Sequence, residues 1–215
     1  MRYCFKRRER VAKGVERIAR DQLDRALREL RGQSSDAAIH RARKRLKVVR
    51  AVLRLVRPEL TPAVFDRENT AFRDIGRRLS VVRDADALLE TIEDLRPQRT
   101  RSAAFDRVVA HVRQHRRSVR REFFDGEGAL AALRQSITDA RDRLPDWTED
   151  GITTRTVMKG LRRSYRRAKQ SFEAARHGQN DGRWHEWRKR TKDVWYHLRL
   201  IQPVWPPVLD ATISR

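Results

Sequence analysis

The chain has 215 residues, enough for one sizeable domain or two small ones. It carries 51 Lys and Arg against 29 Asp and Glu, a formal net charge of +22, and 43 of the 51 are Arg. Self-repulsion of that size opposes compaction, so the composition points to a polyanionic partner: nucleic acid, a phosphate polymer or acidic membrane. The 39% apolar content is periodic, which excludes a solvated, disordered tail. One cysteine, Cys4, excludes an intrachain disulfide and fits a reducing, cytoplasmic compartment. No apolar run reaches membrane-spanning length, and the basic start from Met1 to Gly14 lacks the apolar core of a secretory signal.

In chain order, Arg10–Leu30 reads as an amphipathic helix, with Val11, Val15, Ile18, Ala19, Leu23, Ala26, Leu27 and Leu30 at helical spacing. Gly32 stops it, and Ser34, Ser35 and Asp36 offer an N-cap for a second helix that runs to Arg57, before Pro58. A third starts at Thr61-Pro62 and continues to Leu95, with Arg83-Asp84-Ala85-Asp86 marking a bend. Pro97 is the next break. A fourth helix covers Arg101–Phe124, and Gly126 and Gly128 separate it from a shorter one over Ala129–Leu144. Pro145–Gly151 reads as a linker. Helices follow at Thr154–Arg176 and Trp184–Gln202, after which Pro203, Pro206 and Pro207 break the pattern. No segment alternates with a two-residue period, so the class is all-α.

An internal repeat organises the chain. Ile39–Leu55 aligns with Trp184–Leu200 at an offset of 145, with 9 of 17 positions identical, among them His40/His185, Arg43/Arg188, Lys44/Lys189, Lys47/Lys192 and Arg54/Arg199. The helices before them repeat at an offset of 146, through Val11/Val157, Lys13/Lys159, Gly14/Gly160, Arg17/Arg163 and Arg20/Arg166. This reads as a duplicated helical bundle. Residues 1–145 form the first bundle, and 146–215 supply the first two helices of a second. A full second copy would run to about residue 290. The expectation is therefore that the second bundle is truncated, or that a second copy of the chain completes it in a homodimer.

The basic residues fall in stripes. His40, Arg43, Lys44, Lys47, Arg50 and Arg54 share one side of the second helix, opposite Leu46, Val49, Leu53 and Val56. His185, Arg188, Lys189, Lys192 and Arg199 repeat this, with Trp184, Trp187, Val194, Leu198 and Ile201 as the apolar face. Arg10, Lys13, Arg17 and Arg20 line the first helix and Lys159, Arg163 and Arg166 the sixth, while on the third Arg73, Arg77 and Ser80 share a face, with Asp84 in line and Arg83 at its edge. A single stripe of this kind is usually a solvated face. Three features argue for anion binding instead: the stripes read as lacking interleaved acids, they recur at duplicated positions, and Arg dominates, with a planar fork suited to phosphate.

The histidines head basic stripes rather than clusters of carboxylates or thiolates, so a phosphate contact suits His40 and His185 better than a metal. His111 and His115 sit four apart beside Phe105, Val108, Val112 and Val119 and read as packing residues. His177 reads as a helix-end residue, and His197 has no evident role. The tryptophans Trp184, Trp187 and Trp195 fall on or beside an apolar face and read as packing rather than base-stacking groups. There is no P-loop, zinc-finger spacing or defensible catalytic arrangement.

His-x-x-Arg-Lys-x-x-Lys at the head of a long helix, then Arg-Arg-Leu-Ser-x-x-Arg-Asp-x-Asp at Arg77–Asp86, then a second His-x-x-Arg-Lys-x-x-Lys, resembles the CHAD family, helical domains named for their histidines. The resemblance covers nearly the whole chain. It implies two four-helix bundles related by a pseudo-two-fold axis around a basic channel. It further implies binding of inorganic polyphosphate with no cofactor, no metal and no catalytic turnover, and company with polyphosphate-metabolising enzymes or polyphosphate granules. Carried onto this sequence, His40, Arg43, Lys44, Lys47, His185, Arg188, Lys189 and Lys192 would line the channel. Lys13, Arg17, Arg20, Arg73, Arg77, Arg83, Lys159, Arg163 and Arg166 would support it, and the matched pair Arg54 and Arg199 completes the candidate set. Two rivals stand beside this reading. A nucleic-acid-binding helical protein would present its stripes on an outer surface. A phosphotransfer protein would use His40 or His185, whose neutral form neighbouring cations favour.

Overall fold

Apolar residues at helical spacing build α1 (Val11–Glu29) and α2 (Asp36–Val56) where the periodicity predicts them. The structure, a computed structural model, describes residues 3–31, 35–95, 102–126, 128–147, 151–178, 180–204 and 206–213. Ser35 Oγ accepts the Ala38 amide at 3.2 Å and caps α2. Gly32, Ser34, Pro97 and Arg101, four of the expected boundary signals, lie outside the described residues. A 3-10 turn at Arg57–Glu59 carries Pro58. Then α3 (Pro62–Asp94) opens on Pro62, with Thr61 Oγ1 accepting the Val64 amide at 3.3 Å. It runs unbroken for 33 residues through Arg83–Asp86.

Four more helices follow as expected: α4 (Ala103–Phe124), α5 (Ala129–Asp142), α6 (Thr154–His177) and α7 (Asp181–Ile201). The start of α7 lies three residues before the expected Trp184, because the Asn180 side chain accepts the Gly182 amide at 2.7 Å and caps it there. The expected linker holds a 3-10 turn, Leu144–Trp147, whose Trp147 is 1% exposed, while residues 148–150 lie outside the described set. Pro206 and Pro207 do not end the helical pattern; they open α8 (Pro206–Ile213), where the first turn requires no amide from them. The described residues contain eight α-helices and no strand, so the protein is all-α.

The chain divides into two compact units, each assembled from separate stretches of sequence. The first comprises Met1–Gln22, Lys47–Asn69 and Arg141–Arg215, and the second Leu23–Leu46 and Thr70–Ala140. In the first, Val15, Ile18, Val49, Val52, Leu53, Val56, Leu144, Trp147 and Leu200 are fully buried. Its buried carboxylate, Glu68, accepts Arg67 Nε at 2.7 Å and Arg143 Nε at 2.8 Å. In the second, Leu23, Leu30, Ile39, Phe72, Leu79, Val82, Leu133 and Ile137 form the core. Buried Asp86 accepts Arg116 Nε at 2.7 Å there, and Arg116 and Arg120 also reach Asp36. A buried carboxylate without such partners would carry a large desolvation cost.

Two apolar faces are rotated from their expected registers. On α7 the buried residues are His197 and Leu200, with Val194 and Leu198 half-buried and Trp184 exposed. Trp184 and Trp187 stack edge to face at 5.5 Å and both contact Phe172, so the aromatics satisfy one another at the rim rather than filling the core. On α4 the buried pair is Val109 and Val112, while Val108, His111 and His115 are exposed. The packing role expected for these two histidines fails because they share a face turned about 100° from that of the buried Val109 and Val112.

Within the first unit α6 crosses the end of α2 at Gly160. A Cβ there would stand 1.9 Å from the Leu55 carbonyl oxygen, a distance no side chain tolerates. Thr156 Oγ1, one turn earlier, donates to Glu59 Oε2 at 3.1 Å and ties α6 to the 3-10 turn. Gly160→Ala must push α6 off α2, and it is expected to lower the stability by about 1–3 kcal/mol in urea unfolding. Gly76→Ala, where a Cβ meets nothing within 4 Å, is expected to raise it by about 0.5–1 kcal/mol through helix propensity.

Candidate anion-binding site

The crossing at Gly160 brings the next two turns of α6, carrying Arg163, Ser164 and Arg167, against the Arg57–Glu59 turn. Arg54 reaches the same place from the last turn of α2, Arg57 from the 3-10 turn, and Arg190 and Asp193 from α7. These seven residues line a cleft of about 320 Å³, its open mouth included. All belong to the first unit.

Five guanidinium groups line this cleft with a single carboxylate, Asp193. Arg54 Nη2 donates to Asp193 Oδ1 at 2.7 Å, and Arg190 Nη1 stands 3.8 Å from Asp193 Oδ2. Arg190 also pairs with Glu186 one turn earlier. The Arg57 guanidinium lies 4.2 Å over the Phe65 ring. Among the described residues Arg57, Arg163 and Arg167 form no ion pair, and the Arg54 Nε hydrogen is buried without an acceptor. Burial holds Arg54 below its ordinary pKa, with Asp193 pulling the other way and Arg190 adding to the depression. Arg163 is lowered by burial and then by Arg57, and Arg167 by burial and then by Arg190 and Arg163. All remain charged at neutral pH. Burial is the main cause of all three shifts, and the neighbouring arginines add to each, a repulsion that an entering anion would relieve.

Of the nineteen candidates read from sequence, only Arg54 and Arg163 meet in this cleft. The stripes are also less bare of acids than their spacing suggests. Arg17 donates to Glu9 at 2.6 and 2.8 Å and to the Cys4 carbonyl at 3.0 Å, and Arg20 pairs with Glu16. Arg43 lies 3.6 Å from Asp84, Arg73 and Arg77 share Asp74, and Arg83 holds Glu90 through both nitrogens at 2.9 and 2.8 Å. Lys189 lies 3.8 Å from Glu186. Arg199 stacks over the Trp195 and Tyr3 rings at 4.7 and 5.1 Å. Lys13, His40, Lys44, Lys47, Lys159, Arg166, His185, Arg188 and Lys192 are exposed. The expected absence of neutralising acids is thus corrected: Glu16, Asp74, Glu90 and Glu186 lie on the same helices as the cations they pair with, and Glu9 and Asp84 come from other segments. Sequence reasoning missed Arg57, Ser164, Arg167, Arg190 and Asp193. Arg163 and Arg167, one turn apart and followed by Arg190 on the next helix, were the available signal.

Among the described residues no group of three or more His, Cys, Asp or Glu stands ready to hold a metal, and no helix is long and apolar enough to cross a membrane. The model of the CHAD domain family matches residues 17–215. This chain belongs to that family. No curated protein matches it. The crystal structure of the CHAD domain from the plant Ricinus communis is similar over 98% of this chain and 75% of that one, with a TM-score of 0.63 at 17% identity. At that identity the likeness establishes the shared fold alone, so the CHAD residues here are judged on their own geometry.

Beside the cleft, His197 is buried in this CHAD domain. Its Nε2 donates to the Ala51 carbonyl at 2.9 Å, and its Nδ1 has no partner. Burial lowers its pKa to about 4, against the opposing Ala51 bond. The unfolded histidine, with a pKa near 6.5, takes up a proton that the folded one refuses, so stability is full above pH 6.5 and is lost as pH falls towards 4. Urea unfolding is expected to show a loss of about 2 kcal/mol from this residue between pH 7.5 and pH 5. His197→Gln, which keeps a donor for Ala51, is expected to remove that part of the slope.

Proposed function

We propose that this CHAD domain binds inorganic polyphosphate, and that the cleft formed by Arg54, Arg57, Arg163, Arg167 and Arg190 is where it grips the chain. The observation that carries the reading is a cleft lined by five guanidinium groups and a single, partly exposed carboxylate, with three of those groups depressed in pKa. Planar forks at several orientations suit the tetrahedral oxygens of phosphate, and charge-assisted bonds of this type are among the stronger polar contacts available. Polyphosphate is also the ligand that the family resemblance implies. The exposed cations Lys159 and Arg166 on α6, and His185, Arg188, Lys189 and Lys192 on α7, offer further contacts to a long polymer.

The domain acts as a binding module rather than an enzyme. Arginines neither give up protons at working pH nor attack as nucleophiles, so the cleft can hold and orient a phosphate chain without cleaving it. A narrow cleft favours a thin, flexible polyanion over a duplex, which needs a broad surface and base contacts. Enzymes that make or consume polyphosphate are the partners such a module would serve, in the cytoplasm and where the polymer accumulates in granules.

Calorimetric titration of the chain with long-chain polyphosphate and with duplex DNA, both at about 150 mM salt, tests this. Polyphosphate is expected to bind and DNA to bind much more weakly. Arg163→Ala combined with Arg167→Ala is expected to weaken polyphosphate binding by at least about tenfold and to lower the salt slope by about 2. Equal binding of the duplex, or unchanged affinity in the double variant, would overturn the reading.

A further inference from the structure

Asp193 stands in a cleft that would draw anions more strongly without it. Its Oδ1 is occupied by Arg54 Nη2 at 2.7 Å. Its Oδ2 has Arg190 Nη1 at 3.8 Å, beyond hydrogen-bond reach, and no other donor closer among the described residues. The side chain is 17% exposed and lines the cleft beside Arg163 and Arg167. An ionised carboxylate only accepts hydrogen bonds. It therefore repels a bare phosphate or sulfate oxygen, and it favours only an oxygen that still carries a proton.

That distinction separates phosphoryl groups by their place in a chain. A terminal phosphoryl group has a second pKa of about 6 and retains a proton in part of its population near neutrality. Orthophosphate retains one throughout the neutral range. Interior phosphates, bridged on both sides, carry no proton there, and neither does sulfate. We infer that Asp193 is a specificity-determining residue whose Oδ2 accepts a hydrogen bond from a protonated phosphoryl oxygen. The cleft then takes orthophosphate or the end of a phosphate chain in preference to chain interior or sulfate. This inference rests on the reading of the cleft as a polyphosphate site.

The groups facing Asp193 leave the neutral range to the ligand. Arg54, Arg57, Arg163, Arg167 and Arg190 stay charged. Burial pushes the neighbouring Tyr196 phenol up, and His197 is held at about 4. None of these changes charge between pH 6 and pH 8.

The test is calorimetric titration of the whole chain with four anions. At pH 7.5 sulfate is at least as negative as orthophosphate, so charge alone gives phosphate no advantage. Phosphate is nonetheless expected to bind about tenfold more tightly, the worth of one hydrogen bond to a charged acceptor. At pH 6 linear tripolyphosphate is expected to bind more tightly than cyclic trimetaphosphate, which has no ends. Its affinity is expected to fall between pH 6 and pH 8 although its negative charge rises, the reverse of simple charge attraction. In Asp193→Asn, whose amide donates as well as accepts, sulfate binding is expected to rise, the phosphate-to-sulfate ratio to approach one, and the pH trend to reverse. Equal binding of phosphate and sulfate by the unaltered chain, or an unchanged ratio in the variant, would overturn the inference while leaving an anion site in place. No binding of any of the four would overturn both the inference and the reading beneath it.

Discussion

A surplus of 22 positive charges is the constraint under which this fold is assembled. With 29 carboxylates for 51 Lys and Arg, the acids are outnumbered, and the buried ones each serve more than one cation. Glu68, without exposed surface, takes Arg67 and Arg143, while Asp86, nearly as buried, takes Arg116 and Arg120. Each joins distant parts of the sequence inside its own unit: Glu68 on α3 is tied to Arg143 beyond α5, and Asp86 on α3 to two turns of α4. A buried ion pair seldom adds much net stability against a well-packed apolar alternative, but removing one partner leaves an uncompensated charge and is severe. These hubs therefore fix which segments can associate more than they add to the depth of the energy well.

The cleft is where this economy runs short. At Glu68 two guanidiniums meet one carboxylate; in the cleft five guanidiniums surround the single Asp193, and among the described residues three of them form no ion pair. Backbone geometry forces that imbalance. Because Gly160 lets α6 come within contact of the Leu55 carbonyl, Arg163 and Arg167 are carried to the place where α2 ends and Arg54 and Arg57 emerge. A larger residue at position 160 would hold the helices apart and let water screen the cations from one another. The steric demand of one glycine and the electrostatic character of the site are thus a single feature of the fold.

The helices were legible in the sequence because their apolar residues recur at 3.6-residue spacing, and α1 to α6 begin and end within about two residues of where that spacing and the Pro and Gly signals put them. The family was legible too, through paired His-x-x-Arg-Lys-x-x-Lys motifs that are specific in combination. Registers and partners were harder to read. The inward face of α7 carries His197, a residue that hydropathy places outside, and the Ala51 carbonyl that accepts its proton lies 146 residues away. Prolines 206 and 207 read as breakers, yet a helix start is the one place that accepts them. The neutralised stripes were misread as well. Glu9 lies outside the helix that holds Arg17, whereas Glu90 sits two turns beyond Arg83 on the same face of α3, where the acid was overlooked.

The internal repeat explains the scaffold and its exceptions explain the site. Gly14 and Gly160 align, and both sit where a Cβ would collide, with Phe5 and Glu9 in one case and with Leu55 in the other. Arg54 and Arg199 also align but differ in fate: Arg54 turns to a carboxylate, and Arg199 lies over two aromatic rings. The aligned positions Val48 and Asp193 differ as well. The first copy buries a valine there, and the second presents an acid to solvent-lined arginines. Asp193 anchors Arg54 and stands 3.8 Å from Arg190. A repeated structural element thereby becomes a single asymmetric site, in which the acid organises the cations that would otherwise repel one another.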